Sequence, residues 1–176
     1  DDEYVSVPPV TMGHEVSGVV AELGAGVDED WRGARVVTET YFSTCGECAY
    51  CRAGRENLCD QPVFTGHGRD GGFATHVVAE AAFCLPLDPA PDPVHLAPLM
   101  CAGLIGWRSL RMAGEDAASL GLYGFGAAAH LIVQVARHQG RRAYAFTRPG
   151  DAQGQAFARS LGAVWAGGSD ERPPEA

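Results

Sequence analysis

Hydrophobic periodicity divides this chain into two regions that meet near residue 91. Between residue 16 and about residue 91, short apolar runs alternate with polar positions and are punctuated by Gly, Asp and Pro. EVSGVVAEL, ARVVTETYF and FATHVVAEAAFCL carry β-branched or alternating apolar residues, the pattern of strands joined by turns. From Asp92 the period lengthens. Asp92 is placed to cap a helix with Pro93 in its first turn, running through Met100. A second helix is expected over 102–112, linking the two regions.

Past Gly114 the pattern reads strand, turn, helix, strand. Residues 118–123 read as a strand, Gly124-Phe125-Gly126 as a tight turn, and 127–138 as a helix. That helix should bury Ala128, Leu131, Ile132, Val135 and Ala136, with Gly140 closing it. Residues 142–146 form the next strand, 151–161 a further helix ended by Gly162, and 163–165 open a third strand. Such alternation predicts a parallel sheet with crossover helices. No internal repeat is visible.

Size and charge narrow the function. At 176 residues, 46% of them hydrophobic, the chain can be one large domain or parts of two. A formal net charge of −9 with no basic run argues against a nucleic-acid or anionic-membrane partner. No apolar stretch reaches membrane-spanning length, and no signal-peptide pattern opens the chain. Six cysteines, four of them clustered, fit a reducing compartment, so the cytoplasm is expected.

The cluster is Cys45, Cys48, Cys51 and Cys59 in CGECAYCRAGRENLC, a C-x2-C-x2-C-x7-C spacing. Two-residue gaps let neighbouring sulfurs converge on a tetrahedral Zn²⁺ about 2.3 Å away, and Gly46 and Gly54 give the knuckle its turns. Two disulfides and an iron–sulfur cluster are the rivals. Ferredoxin-type runs bring the fourth cysteine closer and follow it with Pro, whereas Asp60 stands here. A closed structural zinc site is the expectation.

The second motif is the turn Gly124-Phe125-Gly126-Ala127-Ala128-Ala129, a G-x-G-x-x-A between strand and helix. One glycine makes the turn, the next lets backbone approach a pyrophosphate, and the small third residue lets helix pack on strand. Free N–H groups at the helix start, on Ala127 and Ala128, would face the phosphates. At the end of the second strand stand Thr147 and Arg148, a hydroxyl and a guanidinium that suit the 2′-phosphate of NADP. Asp151 could instead reach a ribose and favour NAD, so both cofactors stay open.

Taken in order, GHEVSGVVAELG, the cysteine run, DGGFATHVV, APLMCAG and GLYGFGAAA resemble the zinc-dependent alcohol dehydrogenases of the medium-chain dehydrogenase/reductase family over nearly the whole chain. The resemblance implies an α/β protein: a β-rich GroES-like catalytic domain over 1–101, then a linking helix and the first part of a Rossmann doubly wound parallel sheet over 102–176. It implies one structural zinc at the cysteine run and one catalytic zinc held by His14 and Cys101, with Glu15 beneath the metal. The implied reaction is reversible hydride transfer between a small alcohol, going to aldehyde or ketone, and NAD or NADP, in a protein that forms homo-oligomers. Other chemistry on the same scaffold (polyol oxidation, quinone or enoyl reduction) and a non-catalytic zinc-stabilised binding module are the alternatives.

One departure stands out. The family's first catalytic-zinc cysteine lies well upstream of the GHE segment, and residues 1–12 hold none. The expectation is therefore an internal fragment, lacking both ends of its parent and inactive alone. The remaining histidines, His67, His76, His95, His130 and His138, are scattered. His130 should be packed in its helix, and Cys84 should be a buried free thiol.

Overall fold

The structure, a computed structural model, describes residues 9–87 and 92–174; Pro91, at the expected change of period, lies outside them. The chain forms two compact units, Asp1–Cys101 and Ala102–Ala176.

The first unit is built from short strands. β1 (Val16–Val19), β2 (Arg35–Thr38) and β5 (Cys84–Pro86) make an antiparallel sheet with β2 in the centre. Being central, β2 buries Val36, Val37 and Thr38 in succession. β3 (Tyr41–Ser43) and β4 (Val63–Phe64) form a separate antiparallel ribbon, with Tyr41 opposite Phe64 and their rings 5.0 Å apart. Between them runs the cysteine segment, including a single turn of helix, α1 (Ala49–Arg52). The unit ends in α2 (Pro93–Leu96), capped by the Asp92 carboxylate accepting from Val94 N–H at 2.9 Å, and a 3-10 turn over Ala97–Met100.

Two strand expectations are corrected. ARVVTETYF is not one strand but two, β2 and β3, which belong to different sheets. In FATHVVAEAAFCL only the last residues pair, because β5 begins at Cys84 after a 3-10 turn over Ala81–Phe83. Residues 74–80 have an alternating pattern but no strand alongside them among the described residues, and a strand without a partner leaves its backbone groups to water. Phe73 and Val78 are accordingly 77% and 76% exposed.

The second unit follows the expected alternation. α3 (Ala102–Met112), β6 (Ser119–Tyr123), α4 (Ala127–His138), β7 (Arg142–Thr147), α5 (Ala152–Leu161) and β8 (Trp165–Gly168) give a parallel sheet ordered β6-β7-β8. β7 is central, and its residues 143–147 are all buried. The core gathers Leu120, Ile132, Val133, Ala136, Ala143 and Ala158. Val133, absent from the expected helix face, has no exposed surface, whereas Leu131 and Val135 are only half-buried. The reason is a second neighbour: α3 packs on α4 through Gly106, where a Cβ would come within 2.7 Å of Ile132 Cγ1. No described helix is long and apolar enough to cross a membrane.

α5 carries both of its punctuation marks. Asp151 caps it by accepting from Gly154 N–H at 2.9 Å, and Gly162 closes it at φ +116°. Replacing Asp151 with Ala should cost about 1 kcal/mol, while Asn should retain most of the cap. Urea denaturation of the pair of variants followed by helix signal checks this, and equal losses in both would contradict the cap.

Candidate metal centres and nucleotide turn

The loop between β3 and β4 folds its cysteines inward with backbone amides. Cys48 N–H donates to Cys45 Sγ at 3.4 Å and Cys51 N–H to Cys48 Sγ at 3.4 Å. Cys59 Sγ accepts from Cys45 N–H and Gln61 N–H, each at 3.3 Å. Such bonds favour thiolate over thiol. All four sulfurs lie within 4.8 Å of one another, with Cys45 Sγ 3.5 Å from Cys59 Sγ and 3.9 Å from Cys51 Sγ. A tetrahedron of 2.3 Å zinc–sulfur bonds has edges of about 3.8 Å. Gly46 at φ +73° and Gly54 at φ +64° make the two reversals the loop needs.

Protonation follows the same geometry. The Cys51 amide, with that of Asp60, draws the Cys48 thiol down to about 6, and the Cys45 amide lowers Cys59. Burial, then the neighbouring Cys48 sulfur, pushes Cys51 up to about 12. Without a cation, negative charge on one sulfur is held at the expense of another. A divalent soft cation removes that conflict, so the four residues fit a structural zinc.

A second group of donors sits elsewhere in the same unit. The ligating atoms of His14, Glu15 and Cys101 all lie within 4.8 Å of one another. His14 and Cys101 are half-buried and Glu15 is exposed. Imidazole, carboxylate and cysteine sulfur donors in a partly open site fit the three-ligand arrangement that leaves a fourth position for a reactant.

Backbone packing positions His14. Gly13 precedes it at φ +104°. The DGGF segment grips the residues leading to it: Gly71 N–H donates to Thr11 O at 2.7 Å, Phe73 N–H to Met12 O at 2.9 Å and Gly72 N–H to Gly13 O at 2.8 Å. The Asp70 carboxylate accepts from Thr11 N–H at 2.7 Å. Gly66 and Gly71 press on the Gly13 peptide, where a Cβ on either would collide with backbone. On the other side, Thr40 Oγ1 donates to the carbonyl of buried Met100 at 3.3 Å, next to Cys101. Sequence reasoning used DGGF only as a marker and passed over Thr40. Adjacent glycines after an Asp were the available signal for the first, and nothing local pointed to the second.

In the second unit Gly124 turns at φ +83°, and its N–H donates to Phe146 O at 2.9 Å. Gly126 stands at the N-cap of α4 with no side-chain cap, leaving the first-turn amides of Ala127 and Ala128 without one. A Cβ at Gly124 or Gly126 would meet nothing within 4 Å, so the space before the turn is open. Phe125 packs on His130, whose Nε2 donates to Phe125 O at 3.0 Å. His130 is thus a packed residue.

Thr147 corrects an expectation. Its side chain is buried, and its hydroxyl faces Arg148 O at 3.1 Å and Gly167 O at 3.3 Å while accepting from Gln155 Nε2 at 3.2 Å. It stitches β7 to its neighbours rather than facing outward. Arg148 is exposed, and Asp151 is engaged as the cap of α5. Cys84 is half-buried at the start of β5, its thiol donating to Glu80 O at 3.4 Å and raised by burial.

Residues 2–89 match the family model described as the alcohol dehydrogenase GroES-like domain. The chain is 44% identical over 171 residues to a probable alcohol dehydrogenase, AdhA, of Mycobacterium tuberculosis, covering 94% of this chain and 49% of that protein. Among solved structures it is similar to a putative zinc-binding dehydrogenase of Sinorhizobium meliloti bound to NADP, with 36% identity and a TM-score of 0.80 over 94% of this chain and 48% of that one. It is also similar to galactitol-1-phosphate dehydrogenase of Escherichia coli, with 27% identity and a TM-score of 0.84 over 96% and 48%. The chain spans about half the length of the curated relatives it matches.

The glycine packing around His14 makes a direct prediction. Gly71→Ala forces a methyl into the Gly13 carbonyl and should destabilise the first unit by about 1–3 kcal/mol. Urea unfolding measures it, and an unchanged midpoint would mean that the Gly13 segment moves aside freely.

Proposed function

This chain belongs to the zinc-type medium-chain alcohol dehydrogenases, and on that premise we propose that the whole protein moves a hydride between a small alcohol and NAD(P)+. The observation that carries the proposal is the convergence of His14, Glu15 and Cys101 donor atoms within 4.8 Å, a set that belongs to reactive rather than closed metal sites.

Zinc, when bound, supplies Lewis acidity that lowers the pKa of an alcohol oxygen, and the nicotinamide accepts the hydride. The chain's own residues do the rest. His14 offers a neutral ring nitrogen and Cys101 a thiolate, so that one soft anionic and one neutral donor leave net positive charge for an oxygen ligand. Glu15, exposed beside them, adds a carboxylate that can pair with the metal while ligands exchange. The amides of Gly126, Ala127 and Ala128 face the open space before α4, where a pyrophosphate gains from the helix dipole. Arg148, exposed just past the end of β7, offers a guanidinium that suits a ribose 2′-phosphate, and the similarity to an NADP-bound dehydrogenase supports its use there. Cys45, Cys48, Cys51 and Cys59 would hold the structural zinc. Clustered free thiols support a cytoplasmic setting, and the family resemblance supports a homo-oligomer.

Two measurements follow. In the whole protein, His14→Ala should reduce alcohol-dependent NAD(P)+ reduction by about a thousandfold or more, since metal activation is worth several kcal/mol. Retention of activity within tenfold of the unaltered protein would contradict the assignment. Separately, Cys48→Ser should lower the thermal midpoint and leave the other three lobe thiols open to alkylation, whereas the unaltered lobe should resist alkylation until a chelator is added. Equal reactivity in the two proteins would contradict a lobe zinc.

A further inference from the structure

The cysteine lobe and the His14–Cys101 cluster are joined by a short, continuous set of contacts that the reading above does not use. The lobe is an insertion between β3 and β4. Tyr41, on β3, donates its hydroxyl to Asn57 O within the lobe at 2.9 Å and packs its ring on Phe64 of β4. At the base of the ribbon Thr65 N–H donates to Thr40 O at 3.0 Å, and Thr65 is buried. That base then reaches both arms of the cluster. Thr40 Oγ1 donates to Met100 O, one residue before Cys101. Gly66, one residue after Thr65, packs on the Gly13 peptide, one residue before His14, so closely that a Cβ would lie 2.7 Å from Gly13 N.

We infer that the base of the lobe sets the spacing of His14 and Cys101, with Thr40 as the positioning residue, so that metal in the lobe raises the affinity of the cluster for its own metal. The physical route is a clip. Four sulfurs drawn together by a cation fix the ends of β3 and β4, and a fixed ribbon holds Thr40 and Gly66 in register. An open lobe lets those ends separate, and the Thr40 bond to Met100 is the contact through which Cys101 feels the change. Coupling of this kind runs through contiguous packed groups and acts equally in both directions. The inference rests on the cluster being a metal site, and its test separates the two claims.

The probe is zinc, titrated into the whole protein, with alkylation of each cysteine followed by mass spectrometry. Thr40→Val removes the hydroxyl at nearly constant volume, and Thr40→Ser keeps it. With the lobe loaded, T40V should raise the zinc concentration that half-protects Cys101 by about fivefold or more, the lower end of ordinary coupling. Protection of Cys45, Cys48, Cys51 and Cys59 and the urea midpoint should stay as in the unaltered chain, and T40S should restore Cys101. Opening the lobe with Cys48→Ser should weaken Cys101 protection in the unaltered background and add nothing in T40V. Equal Cys101 protection in T40V and the unaltered chain would overturn the inference, as would T40S behaving like T40V. If the lobe variant fails to fold, the Thr40 pair decides alone. If zinc never protects Cys101 in the unaltered chain, the cluster is not a metal site and the coupling falls with it.

Discussion

Four sulfurs held within 4.8 Å by one loop are the constraint on which the first unit depends. Backbone amides pull the thiols towards the charged form, and proximity then makes shared charge unfavourable, so the loop is arranged for a cation. The need is visible in the packing. Among the described residues before Ala102, the buried apolar side chains are Val36, Val37, Cys59 and Met100. The second unit instead closes around a cluster of ten buried residues, among those described, that runs from α3 across the sheet. One unit is stapled and the other is packed, a division small β-rich units commonly require.

The stapled unit builds its candidate site from backbone. His14 is placed by three amides of residues 71–73, by the Asp70 carboxylate and by glycines that allow main chains to touch. Cys101 is placed by the carbonyl next to it. These contacts act on the backbone beside each donor, so changes in backbone position translate directly into donor spacing. In the packed unit the reverse holds: β7 is buried from residue 143 to 147, and its Phe146 carbonyl accepts from Gly124 N–H at the open turn that follows β6. A sterically empty turn ahead of helix amides with no side-chain cap suits a phosphate better than a side chain.

Legibility in the sequence followed how local each interaction is. α3 and α4 were readable from periodicity and end signals, and α5 from Asp151 and Gly162, because a helix satisfies its own backbone. Residues 74–80 misled because alternation predicts a strand only when a neighbour is there to pair with it. Val133 was missed because α4 packs on α3 as well as on the sheet, which turns its buried face. The cysteine lobe was readable outright, since spacing and ligand chemistry coincide in fifteen residues. His14 and Cys101 are 87 positions apart and were paired only through a family resemblance. Thr147 reads as a ligand group in the sequence, but its hydroxyl is bonded to Gly167 of β8 and Gln155 of α5, and the roles of Asp70, Gly71 and Thr40 depend on contacts across 59 or 60 residues.

The most direct test of this account is zinc-edge X-ray absorption on the anaerobically prepared chain loaded with one equivalent of metal. The account predicts a shell of four sulfurs at about 2.3 Å. A shell dominated by nitrogen or oxygen, or cysteines recovered as disulfides with no metal retained, would contradict it.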